Sequence, residues 1–192
     1  MKLIRLHTLI TAALAIWLSS VVASGFAAAV TFPAMKKLNV RIPAYESFDA
    51  EHWKIAGGKI GWAVFTASDF VQTAMALIAA ACLLLVRPRE CSPRWAAIAR
   101  LFLVAAAITM FLWYAATIRF PMEHALDSFW TSLDAGNHDQ ARKFQSDFDA
   151  LHPSSSRTLS AIAITILLAL LSSLITAPKI NSPAAAPSEP AR

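Results

Sequence analysis

Residues Ile60–Val86 read IGWAVFTASDFVQTAMALIAAACLLLV, and this stretch decides the fold. It holds a single charged side chain, Asp69, and it is long enough to cross a bilayer. A helix rises about 1.5 Å per residue, so about 20 residues span the ~30 Å hydrocarbon core. Three further apolar runs accompany it: Thr8–Phe32, Trp95–Ile118 and Thr158–Ala177. Two of the four carry no charge, and Arg100 is the one charge in the third. The pattern predicts an all-α integral membrane protein, a four-helix antiparallel bundle with the lipid bilayer as its partner.

Composition agrees. The chain is 57% hydrophobic, above the roughly 45–50% of soluble domains. The apolar excess lies in the four runs, and what remains is too little for a separate soluble core. One membrane domain is expected over residues 1–178. The Pro, Ala and Ser content of 179–192 predicts a disordered cytoplasmic tail.

The net charge of +5 does not point to nucleic acid, because the basic residues gather at the ends of the apolar runs. Lys2, Arg5, Arg87, Arg89, Arg94, Lys179 and Arg192 fall in three short segments whose only acids are Glu90 and Glu189. The opposite segments, Pro33–Lys59 and Arg119–Arg157, hold nine Lys/Arg and nine Asp/Glu. Higher Lys/Arg density marks the cytoplasmic face. Both termini are therefore expected in the cytoplasm, an arrangement that suits a bacterial inner membrane. Cys82 and Cys91 then face no oxidising compartment, and no disulfide is expected. A rival reading takes Lys2, Arg5, the first run and Ala27-Ala28-Ala29 as a cleaved signal peptide. The uncharged run is longer than the usual 7–15 residue signal core, which favours an uncleaved first span.

Pro33, Pro88, Pro93, Pro121, Pro153 and Pro178 punctuate the chain and predict helix ends. Gly57-Gly58 predicts a turn or a close approach of backbones. Between the third and fourth runs, Met122, Leu126, Phe129, Trp130 and Leu133 recur at helical spacing. Gly136-Asn137 breaks the pattern, and Ala141, Phe144, Phe148 and Leu151 resume it. This predicts an outer amphipathic helical hairpin over about 122–152, packed on the bundle or lying in the interface.

Polar residues inside the spans are the first candidates for function. Asp69 near the bilayer centre would cost roughly 2.5–3.5 kcal/mol. Counted from the outer end of its span it lies about 13 Å deep, and Ser24, Thr109 and Thr165 come to about 10–13 Å on their own spans. With Gln72 at i+3, these groups form an expected polar layer around Asp69. The layer reads either as a proton- or cation-responsive site or as a polar clamp that fixes helix register. Arg100 lies about 8 Å from the inner end of its span, within snorkelling reach of the headgroups.

The outer loops hold four of the five histidines. In a hairpin, His124 and His152 meet at the base, with Asp127 and Asp149 one turn further out and His52 within reach. Two imidazoles and two carboxylates at this spacing suit a divalent transition metal. The plainer reading is a solvated polar helix face, with no cofactor. Ser154, Ser155 and Ser156 after Pro153 read as helix caps.

Short motifs carry one resemblance. The first span ends in Phe32-Pro33-Ala34-Met35-Lys36-Lys37-Leu38, and the second follows Ala56-Gly57-Gly58-Lys59-Ile60-Gly61-Trp62. Pro121 follows the third, and Phe148-Asp149-Ala150-Leu151-His152-Pro153-Ser154-Ser155-Ser156 enters the fourth. This layout resembles the four-helix membrane family of transmembrane protein 205-like proteins. The resemblance implies the four-span fold, draws attention to His152 with Ser155 or Ser156, and implies no defined activity.

With no catalytic motif in the sequence, the expected role is a non-catalytic scaffold, assembly factor or accessory subunit, with itself or another membrane protein as partner. A transporter or permeation module using Asp69 is the first alternative, and a metalloprotein using the outer histidines the second.

Overall fold

A computed structural model describes residues 2–48, 51–86 and 88–178. Its frame is five helices: α1 (Lys2–Lys37), α2 (His52–Leu85), α3 (Arg94–Tyr114), α4 (Phe120–Asp134) and α5 (His138–Leu174). A five-residue π turn, Ala115–Arg119, joins α3 to α4 without a break in the rod. Four rods are therefore long and apolar enough to cross a membrane: α1, α2, the joined α3–α4 rod and α5. The tail 179–192 lies outside the described residues.

Pro88, Pro93 and Pro178 stand at helix ends as the sequence predicted, but Pro33, Pro121 and Pro153 do not. Pro33 lies inside α1 and Pro153 inside α5. Pro121 occupies the first turn of α4, where its missing N–H costs least. The π turn directly before it widens the backbone at the point where Pro121 has no donor to give. The outer hairpin is consequently not a pair of separate short helices. It is the continuation of the third and fourth spans, closed by Gly136 at φ +70° and by Asn137, whose side chain accepts from the Gln140 N–H.

The rods alternate in direction, as contacts at the two ends demonstrate. At one end the two-residue strands Cys91–Ser92 and Ala177–Pro178 pair antiparallel, tying the α2–α3 turn to the end of α5. At the other, the Tyr45 hydroxyl donates to Asp134 at 2.6 Å. Helix α1 packs along both α2 and α5, and α5 carries α3 and α4 on its other side. Helices α2 and α3 touch only lightly, so α2 is held mainly by α1.

Two cores result. The larger runs through the rods and includes Trp17, Val104, Ile162 and Ile166. The smaller joins Tyr45, Phe48, Ile55, Phe129, Leu133 and Ala141. It lies beyond the band of exposed large apolar side chains, which ends at Phe120 on the α3–α4 rod and resumes only at Ile164 on α5. We call this outer unit the cap. The joined rod Arg94–Asp134 has 41 residues, about 60 Å of helix, twice the ~30 Å core, and the surplus builds the cap. Gly57 supplies a close approach: a Cβ there would lie 2.9 Å from the Phe32 ring.

Candidate functional site

Asp69 does not stand alone in the bundle. Its Oδ2 accepts from Arg119 Nε at 2.7 Å, and Arg119 Nη2 donates to Thr66 Oγ1 at 3.3 Å. Glu123, one turn along α4, brings a second carboxylate to 3.7 Å from Arg119 Nη1. Two carboxylates thus share one guanidinium where α2 meets the π turn. The side chains of Arg119 and Asp69 are 13% and 25% exposed, enough burial for the ion pair to matter and enough opening for solvation of the spare charge.

The π turn positions Arg119. It holds one more residue per hydrogen-bonded ring than an α turn, so it rotates everything after it relative to α3. Arg119 lies 25 residues from Arg94, about 37 Å along the rod. Asp69 lies 16 residues from Leu85, about 24 Å along α2. The two lengths bracket the ~30 Å thickness of a hydrocarbon core, so the pair lies about one core thickness from the end of the bundle where α3 begins. The sequence-based depth took Ile60 as the outer edge. In the structure α2 continues outward to His52, and Trp62 already stacks edge-on against Trp130 of α4.

The expected polar layer around Asp69 does not assemble. Thr109 is exposed on the outside of α3. Ser24 donates to its own helix at the Val21 carbonyl. Thr165 donates to the Ala161 carbonyl and lies 3.9 Å from Met110 Sδ. Gln72 is fully buried but turns toward α1, where its Nε2 donates to Ser68 Oγ at 3.1 Å. Ser68 and Ser20 complete that cluster with hydroxyls 2.9 Å apart. Asp69 and Gln72 therefore serve different interfaces of α2, although they are only one turn apart.

The outer histidines are likewise separate. Among the described residues, no three His, Cys, Asp or Glu side chains gather in a group that could hold a metal ion. His124, Asp127, Asp149 and His152 are all exposed. His52 is buried with both ring nitrogens engaged: Nδ1 accepts from the Ile42 N–H at 3.0 Å, and Nε2 lies 3.2 Å from the Phe48 carbonyl. It staples the first outer loop to the start of α2 and leaves no lone pair for a metal. Ser155 is buried inside α5, its hydroxyl 3.3 Å from that of Tyr114.

Sequence reasoning missed Arg119, Ser20, Ser68 and Tyr45. Arg119 and Glu123 stand at i, i+4, and Thr66 and Asp69 at i, i+3, which were the available signals. Tyr45 gave none, because its partners Asp134 and Lys59 (Nζ at 3.4 Å) are distant in sequence. Both cysteines are free and buried.

No protein-family model matches the chain, and no curated protein or solved structure shows significant similarity to it.

Proposed function

We propose that this is a small integral membrane protein with a non-catalytic role, as a scaffold, assembly factor or accessory subunit. We place it in a bacterial inner membrane with the basic end of the bundle, where α1 and α3 begin, in the cytoplasm. The Asp69–Arg119 pair carries the reading. The one acid within the apolar runs is engaged at 2.7 Å in docking α2, which otherwise packs mainly on α1, onto the π turn. A carboxylate so occupied fits a clamp better than a carrier site. The cap adds a folded unit with its own small core outside the bilayer, a suitable surface for a membrane-protein partner or a second copy.

Chemical cross-linking in native membranes, followed by solubilisation in mild detergent, tests this. The expected result is a discrete species heavier than the monomer, retained in Asp69→Asn. Recovery of the monomer alone from cross-linked membranes would overturn the scaffold reading. Cation or proton flux into proteoliposomes that disappears in Asp69→Asn would replace it with a permeation module.

A further inference from the structure

Where α1 and α3 begin, Arg100 is buried to 1% exposure. One terminal nitrogen donates to His7 Nδ1 at 3.0 Å and to Ser173 Oγ at 3.3 Å. Ser173 Oγ lies 3.1 Å from Thr11 Oγ1. The fully buried Cys91 also faces the guanidinium. Three helices, α1, α3 and α5, thus converge on one cation. Its neighbours are hydroxyls, an imidazole and a thiol, and none is a carboxylate. The ion pairs among the described residues all lie elsewhere. The Arg100 Nε–H is buried with no acceptor.

A buried charge without a counter-charge is strongly unfavourable in a low-dielectric interior. An orphaned N–H on the same group compounds the cost. Arg100 lies six residues from the start of α3, about 9 Å along the helix, so the headgroup region is within a side chain's reach. The same end carries Arg5, Arg89 and Arg94 against Glu90, a field that concentrates anions. A planar guanidinium with free donors matches phosphate oxygens in a two-pronged fashion.

We propose that the Arg100 cluster is a phosphate-binding site. The phosphate, of a lipid headgroup or free in solution, takes the Arg100 fork, and Thr11 and Ser173 donate to its remaining oxygens. His7 is the movable member. It is only partly buried, and its Nδ1 now occupies an Arg100 donor that the anion would take over.

The test uses the full chain in maltoside micelles in phosphate-free buffer, alone, with added phosphatidylglycerol, and with added inorganic phosphate. In maltoside alone, Arg100→Met is expected to unfold at the same temperature as the wild type or higher, because it removes an uncompensated charge. With phosphatidylglycerol the order reverses, and wild-type protein retains anionic lipid in native mass spectrometry about tenfold better than Arg100→Met. Ser173→Ala keeps the charge and weakens retention by a smaller factor. Stabilisation by inorganic phosphate as well assigns the site to free phosphate, and stabilisation by phosphatidylglycerol alone assigns it to lipid. The proposal is overturned if neither stabilises the wild type. It is also overturned if the surface variant Arg5→Gln loses as much retention as Arg100→Met, because the effect would then be general surface charge.

Discussion

At the scale of single residues, the ion pair and the cap tyrosine make separable statements. Arg119 serves both Asp69 and Glu123, so the two ends of the pair are unequal. Arg119→Gln leaves two carboxylates facing each other. Asp69→Asn leaves Arg119 its second partner. We expect Arg119→Gln to cost about 2–4 kcal/mol and Asp69→Asn about 1–2 kcal/mol, with the double variant less destabilised than the sum. Equilibrium unfolding in mixed micelles would measure all three, and strict additivity would show that the pair contributes nothing. Tyr45 gives a pH signature. Its hydroxyl donates to the Asp134 carboxylate, and that bond, aided by burial, raises the phenol pKa above its ordinary value near 10 despite Lys59. The folded chain therefore holds this proton more tightly than the unfolded chain. The resulting stability is complete below pH ~10 and drains away as pH rises through the higher folded value. Above pH ~10 the wild type should lose stability more steeply than Tyr45→Phe, and parallel alkaline titrations would contradict this.

At the scale of elements, the π turn Ala115–Arg119 is the unusual joint. It lets one rod serve two packing problems, because α3 needs one rotational phase against α5 in the bundle and α4 needs another in the cap. Inserting an alanine after Ala116, an exposed residue of the turn, adds a residue the turn does not absorb and should rotate α4 by about 100° relative to α3. Arg119 would leave Asp69, and Trp130 would leave Trp62. The expected outcome is a bundle of unchanged helicity with a protease-sensitive segment between α1 and α2. An intact, protease-resistant cap would mean that α4 tolerates either phase. This joint also marks what sequence could reveal. Hydropathy exposed the four rods, because long uncharged runs admit few other structures. The stripe from Met122 to Leu151 correctly announced helices. A one-residue slip in phase leaves the apolar spacing on either side intact, so the π turn was invisible. Pro121 and Pro153 suggested ends because proline has no N–H, yet first-turn position at Pro121 and continued packing of α5 at Pro153 override that preference. Asp69 was conspicuous as a lone charge in an apolar run. Arg119 was not, because it stands where a run ends and an ordinary snorkelling arginine would also stand. His52 looked like a ligand for a similar reason: its real partners are backbone groups, which no sequence pattern marks.

At the scale of the molecule, the two cores differ in what holds them. The bundle core is buried in rods whose outer faces are apolar, so lipid or detergent supports it from outside. The cap core has six buried members, and it relies on a few large side chains. Phe48 is the hub. It is 1% exposed and meets Phe129 edge-on at 6.2 Å and His138 at 5.4 Å between ring centroids, with the Arg142 guanidinium 5.9 Å from its own ring. Truncation to alanine would remove about 3–5 kcal/mol from the cap. The bundle would be spared, because Phe48 has no place in the larger core and sites without shared partners act independently. Phe48→Ala should therefore advance hydrogen exchange in the first outer loop and in α4 beyond Phe120, while amides around Val104 and Ile162 exchange as slowly as in the wild type. Uniform acceleration along all four rods would mean that the molecule opens as one cooperative unit, with the cap acting as the lock that keeps α2 against its neighbours.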